Sequence, residues 1–438
     1  MMKSVAFHNL GCKVNDYETD IMQQKFAENG FKVVPFTDKA DIYVINTCTV
    51  TNIADRKSRQ MLHRAKAMNP DSIVIAVGCY VQTDTKRVIA DEAVDIAIGN
   101  NQKANIINIL NDYLKDNSKN SAVLDINEPN MEYESMMLSD TAERTRAYIK
   151  IQDGCNQFCT YCLIPYARGR VRSREKEDIL NEIKVLCEKG YKEFVLTGIH
   201  VSSYGITTAN DLSKNKLADL LESIQEIEGV KRIRLSSLEP RVITEDFARR
   251  VSALSKLCPH FHLSLQSGCD ATLKRMNRHY TKDEYYEGVM LLRKYFDDPA
   301  ITTDIIVGFP GETEEEFKES YDFAKKVGFY EMHIFKYSKR KGTPAEKFPN
   351  QVSDQDKDAR SDKMIALGDA LSKEFRERHI GKAAEVLYEE SKVISGREYQ
   401  IGHTPEYIKV ARFTDEDLRD KIVKEIPKEF LKDDILLV

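Results

Sequence analysis

The chain has 438 residues, 42% of them hydrophobic, which is enough for roughly two to four ordinary cores. Its net charge of −5 excludes a molecule-wide basic field, so any nucleic-acid contact must come from local patches. The longest apolar runs, such as 73–77 and 305–307, are far too short to span a bilayer, and no signal-peptide-like segment opens the sequence, so the cytoplasm is the expected compartment.

Short runs of strand length stand at 5–9, 42–45 and 73–77, and the stretches 17–28 and 54–68 between them have helical spacing with charged outer faces. This alternation predicts an open, mostly parallel sheet covered by helices over residues 1–115. Cys12, Cys48 and Cys79 each fall just after one of the three strands. Carboxyl ends of strands in such a sheet face the ligand crevice, so the three thiols could converge on one point. Gly11 and Gly78 suit a close approach of backbone to a bulky group. Three thiols buried near a sheet edge are the alternative. Arg56, Lys57, Arg59, His63, Arg64 and Lys66 load the helix that follows Cys48, which fits either phosphate binding or a solvated face.

Residues 116–141, with few periodic apolar positions, read as a linker. Six strands at 148–151, 194–196, 233–235, 261–265, 303–307 and 332–335 then alternate with helix-sized segments. They predict a partial (β/α)6 barrel over 142–376, with its site at the carboxyl ends of the strands. Cys155, Cys159 and Cys162 form C-x-x-x-C-x-x-C directly after the first of these strands. Three thiolates so close together can hold three irons of a 4Fe–4S cubane and leave the fourth open, whereas closed clusters usually take four Cys. A zinc site, which favours paired C-x-x-C or Cys/His sets, and inert buried thiols are the alternatives. Nine cysteines in a reducing compartment favour metal or catalytic use over a disulfide framework. Arg168, Arg170, Arg172 and Arg174 alternate beyond the motif, and Lys274, Arg275 and Arg278 add charge near later strand ends. A charged helix over about 354–378 closes this part, and 377–438 reads as a small all-β unit. From residue 381 onward it carries 10 Lys/Arg against 13 Asp/Glu, which weakens any electrostatic role in RNA binding.

The six cysteines, in register with their flanking residues, resemble those of the radical S-adenosylmethionine (SAM) methylthiotransferases over essentially the whole chain. Leu10-Gly11-Cys12-Lys13-Val14-Asn15, Cys48-Thr49-Val50-Thr51-Asn52 and residues 161–170 are most similar to the branch acting on N6-threonylcarbamoyladenosine in tRNA. The resemblance implies a methylthiotransferase domain at 1–115, a radical-SAM core at 142–376 and a TRAM domain at 377–438. It also implies two 4Fe–4S clusters, one on Cys155, Cys159 and Cys162 that binds SAM and an auxiliary one on Cys12, Cys48 and Cys79. Tyr161, Thr197, Gly198, Ser236, Glu239, Gln266 and Gly308 are the implied SAM contacts, although helix caps and strand-end turns also use such polar residues. Arg56, Lys57, Arg59, Arg168, Arg170 and Arg172 are the expected RNA contacts. The implied reaction methylthiolates C2 of the modified adenosine beside the anticodon. Its partners are a tRNA anticodon stem-loop and an external electron donor, with no DNA and no membrane. Isopentenyladenosine in tRNA, a ribosomal-protein aspartate, and a non-catalytic electron-transfer role remain open at this point.

Overall fold

A computed structural model describes residues 3–116, 120–128, 131–140, 145–206 and 212–438. In the amino-terminal part, β1 (Ser4–Asn9), β2 (Lys32–Val34), β3 (Ile42–Thr47), β4 (Ile73–Gly78), β5 (Ile96–Ile98) and β6 (Asn120–Ala122) form one parallel sheet of order β2-β1-β3-β4-β5-β6. Alternate side chains feed two cores, as a two-residue strand period requires. Val5, Ile42, Val44, Ile75 and Val77 pack under Met22 and Phe26 of α1 (Lys13–Glu28), whereas Ala6, Tyr43, Ile45, Val74 and Ala76 meet Leu62 and Ala65 of α2 (Asn52–Met68).

The middle part contains β7 (Arg146–Asp153), β8 (Arg172–Ser173), β9 (Glu193–Gly198), β10 (Arg232–Leu235), β11 (His260–His262), β12 (Ala300–Val307) and β13 (Glu331–Lys336). Two ladders, β10-β9-β7-β8 and β11-β12-β13, are joined by the single parallel bridges Ile233–Leu257 and Leu238–Leu263. Six parallel strands therefore curve into an open barrel, while β8 runs antiparallel to β7. Among the described strands β7 and β13 do not pair, and α1 packs along β7 beside that gap.

The stretch expected to be a linker is packed. β6 extends the first sheet, and Met136 and Leu138 are buried with Tyr17 and Ile21 of α1. Leu138 N–H donates to the Glu182 carboxylate at 3.0 Å, and Tyr133 Oη donates to the Lys150 carbonyl at 3.0 Å. Two apolar anchors are too few to produce a periodic signal, which is why the sequence reads as a loop there.

Helix Asp354–Glu377, capped by the Ser353 hydroxyl, leads into β14 (Ala384–Ile394), β15 (Arg397–His403), β16 (Lys409–Arg412), β17 (Ile422–Glu425), β18 (Glu429–Lys432) and β19 (Ile435–Leu437). These form one sheet, antiparallel except for the β16–β19 pair. It docks on the amino-terminal ends of the barrel strands. Arg232 donates to the carbonyls of His403 (3.0 Å) and Glu385 (2.6 Å), and Arg234 to that of Pro405 (2.9 Å). No helix among the described residues is long and apolar enough to cross a membrane.

Candidate active site

β1, β3 and β4 are hydrogen-bonded neighbours, with Asn9 opposite Asn46 and Thr47 opposite Gly78, so their carboxyl ends stop level. Cys12, Cys48 and Cys79 leave those ends side by side. Gly78, at φ +98°, passes so close to β3 that a Cβ there would lie 2.6 Å from Asn46 Oδ1 and 2.9 Å from the Thr47 carbonyl. A Cβ on Gly11 would lie 3.2 Å from Cys48 Sγ, so this glycine brings the Cys12 loop against Cys48. Removal from bulk water, followed by its thiol neighbours in the set, pushes Cys48 up to about 12. Such thiols stay neutral unless a metal takes the proton's place.

The second set lies on the loop after β7. Gly154 turns it at φ +74°, where a Cβ would overlap the Arg170 carbonyl, and Cys155 N–H closes the turn on the Gly169 carbonyl at 3.0 Å. Backbone N–H groups of Gln157 and Ile164 point at the sulfurs of Cys155 (3.5 Å) and Cys162 (3.4 Å). Arg278 Nη1 donates toward Cys159 Sγ at 3.3 Å. Burial pushes Cys155 up to about 12 and Cys162 upward too, with Cys159 adding to both.

A buried ionic network connects the two sets. Arg168, from the helix Ile164–Arg168 that follows Cys162, directs Nε–H toward Cys79 Sγ at 3.3 Å, and Asn100 Nδ2 reaches the same sulfur at 3.5 Å. The Arg168 guanidinium also binds Glu18 (2.9 Å), Asn15 (2.6 Å) and Asp153 (3.3 Å). Lys150 bridges Glu18 and Asp153 at 2.7 Å each, and Lys103 pairs with Glu18. With Arg172 3.9 Å from Asp153, the ion-paired set has four cations and two carboxylates, all buried. That positive surplus at the sulfurs suits three thiolates around an iron–sulfur core, because an unpaired charge is costly in the interior. Three thiols per set, N–H groups aimed at sulfur and buried cations beside them make both sites fit 4Fe–4S clusters with one open iron each.

Beside the first set, and reached by Cys12, runs a cavity of about 610 Å³ along the barrel interior. Cys12 and Lys13 line it from α1, Thr197, Gly198, Ser236 and Ser237 from the strand ends, and His260, His262, Asp304, His333 and Tyr407 farther down. The ligating atoms of His262, Asp304 and His333 all lie within 4.8 Å of one another. Ser236 Oγ, His260 Nδ1 and His262 Nε2 are buried without a hydrogen-bond partner. Orphaned polar groups of this kind are what a polar ligand would satisfy.

Thr197, Gly198 and Ser236 share this cavity with Cys12, while Tyr161, Glu239, Gln266 and Gly308 do not line it. Tyr161 packs edge-on against Phe309, 6.1 Å between centroids. Glu239 accepts from Arg241 at 2.9 Å and lies 3.6 Å from His200 Nε2. Gln266, at φ +69°, is tied to β12 through its backbone. Gly308 faces Lys357, whose side chain occupies the place a Cβ would take, so packing of helix Asp354–Glu377 accounts for that glycine.

The expected RNA contacts divide. Arg56, Lys57 and Arg170 are exposed, and Arg170 lies over the Phe158 ring at 4.5 Å. Arg59 is half-buried on Tyr80. Arg168 and Arg172 require correction: both are buried and committed to internal partners, Arg172 donating to the Arg168 carbonyl at 2.9 Å. Arg174 and Arg278 are also turned inward, to Glu182 and Cys159. Sequence reasoning missed Glu18, Lys103, Lys150 and Asp153. Only Lys150 gave a signal, as a charge inside an otherwise apolar strand.

The description of the Radical SAM superfamily matches residues 149–324, and that of the uncharacterized protein family UPF0004 matches residues 4–99. The threonylcarbamoyladenosine tRNA methylthiotransferase MtaB of Bacillus subtilis is 42% identical, over 97% of this chain and 93% of its own length. The Aquifex aeolicus protein of the same name is 40% identical, over 89% and 94%. A tRNA-2-methylthio-N(6)-dimethylallyladenosine synthase of Clostridium botulinum is 37% identical, over 86% and 84%. Among solved structures, the radical SAM methyltransferase TsrM of Kitasatospora setae superposes with a TM-score of 0.57 at 15% identity, covering 79% of this chain and 74% of its own, a likeness of fold.

Proposed function

Because the chain belongs to the radical-SAM tRNA methylthiotransferases, in their threonylcarbamoyladenosine branch, we propose that it places a methylthio group on C2 of N6-threonylcarbamoyladenosine beside the anticodon. The observation that carries this reading is the pair of three-thiol sets, with a polar cavity that the first set reaches through Cys12. In it, Cys155, Cys159 and Cys162 hold the SAM-binding 4Fe–4S cluster, and Cys12, Cys48 and Cys79 hold the auxiliary one. When bound, the clusters would pass on the donor's electron and carry the sulfur, and SAM would supply the carbon radical and the methyl group, which suits an aromatic C–H too weakly acidic for any side-chain base.

The chain's own residues bind, orient and shield. Thr197, Gly198 and Ser236 line the end of the cavity given to SAM, and the unpartnered Ser236 hydroxyl is free to hydrogen-bond it. Arg168 and Arg278 each donate to a ligand sulfur, which fixes the sulfur's position and stabilises its negative charge. Tyr407 lines the cavity from the carboxyl-terminal sheet unit, and its ring limits water entry there in this reading. Exposed Arg56, Lys57 and Arg170 are the remaining phosphate contacts in this reading. An external donor supplies the electron, and the cytoplasm, where tRNA is met, is the working compartment. The domain division at 1–115, 116–141, 142–376 and 377–438 belongs to the same reading, with β6 and the packed strap inside the second segment.

Mass spectrometry of tRNA nucleosides with and without the gene tests it. The 2-methylthio derivative of threonylcarbamoyladenosine should disappear on deletion. Its persistence, or loss of the isopentenyl derivative instead, would refute the assignment. Ala variants of Cys12, Cys48 and Cys79 should still release 5′-deoxyadenosine from SAM while making no methylthio product.

A further inference from the structure

The cavity wall supplied by α1 carries an ammonium with nothing to pair with. Lys13 directly follows Cys12, lines the cavity, and makes no hydrogen bond or ion pair with any described residue. Two guanidiniums stand near it, but both are committed: Arg146 to Glu389 at 2.9 Å and Arg234 to Glu193 at 2.7 Å. The carboxylate whose charge reaches it is Asp16, on the same wall, and Asp304 and Glu331 also line the cavity. An exposed ammonium that faces a polar cavity with no ion-pair partner of its own is available to an anionic group of a ligand. On threonylcarbamoyladenosine the carboxylate of the threonyl group is the one formal charge on the base's substituent.

We infer that Lys13 holds that carboxylate and so selects the anionic substituent over neutral ones. This rests on the function proposed above and extends it to a specificity-determining residue. The unpartnered His260 Nδ1, and the His262–Asp304 pair at 3.3 Å, add polar groups that match the hydroxyl and urea groups of a threonylcarbamoyl chain. A site built from such groups rejects an apolar substituent, which would leave them unpaired.

The test uses holoenzyme and two anticodon stem-loops, one carrying N6-threonylcarbamoyladenosine and one its methyl ester, which removes only the charge. Wild type should prefer the acid. Lys13→Met should lower kcat/KM for the acid roughly 10- to 100-fold, as loss of a charge-assisted hydrogen bond does, and change the ester little. Lys13→Arg should restore most of the preference. Iron content is measured alongside, and if Lys13→Met loses iron, Lys13→Gln is assayed on the same pair. An acid-to-ester ratio unchanged from wild type in the iron-replete variant overturns the inference, as does an equal fall for both substrates. Wild type that acts only on an isopentenyl stem-loop overturns the parent reading instead, whatever Lys13 does.

Discussion

Arg168 ties the SAM-binding loop to the sulfur of Cys79 while holding Glu18 and Asp153, so its removal takes one cation from both carboxylates and leaves Glu18 to Lys103 and Lys150, and Asp153 to Lys150 and Arg172. Arg168→Met should cost about 1.5–3 kcal/mol in unfolding free energy, the size of lost hydrogen bonds to charged groups whose other partners remain. It should also lower the reduction potential of one cluster only, read by EPR-monitored titration, because a donor to ligand sulfur is lost. His200 gives a pH signature. Burial holds its imidazole down at about 4, so the neutral ring is favoured in the folded protein. Below about pH 6.5 the unfolded chain takes up the proton first, and stability is lost as pH falls toward the folded value. From about pH 7.5 to 5.5, wild type should lose roughly 1 kcal/mol more than His200→Gln in denaturant titrations. The cysteines were legible because their chemistry resides in spacing. Arg168 was not, because the alternation of Arg168, Arg170, Arg172 and Arg174 suggests one shared surface. Gly169 turns the chain at φ +72° between helix and strand, and it leaves Arg170 outside and its neighbours inside.

Between elements, the level ends of β1, β3 and β4 gather the first thiol set, and Gly78 lets β4 pass β3 closely enough to do so. Gly78→Ala places a methyl against the Thr47 carbonyl at a backbone angle that L-residues avoid, so Cys48 and Cys79 must separate. The variant should retain about half the wild-type iron, that of the second set, by metal analysis after anaerobic reconstitution. A full complement of iron would show that the loop absorbs the methyl. The central strands were readable from their apolar runs, whereas β2 and β5, three residues each, are too short to carry a period. Register, which decides that three distant cysteines meet, depends on long-range pairing that no local pattern contains.

Across the whole molecule the net charge of −5 leaves RNA binding to local features, and burial of Arg168, Arg172 and Arg174, with Arg278 turned to Cys159, shortens the candidate list to a few exposed cations. Replacing Arg56 and Lys57 by Glu should weaken stem-loop binding and reduce the slope of log K against log salt by about 2, one for each lost phosphate contact. An unchanged slope would assign the pair to a solvated face. Tyr407 gives the acidic tail a different importance. Seated between Arg146 and Arg234, at 5.0 and 4.7 Å, and stacked on His403, its ring is the floor of the reaction chamber. A chain trimmed before β14 would therefore have a drain in place of that floor. Bulk solvent would reach the chamber from below, and radicals made at the top would be quenched while the thiol sets stayed whole. What looked like a lost grip on RNA would then be a leak.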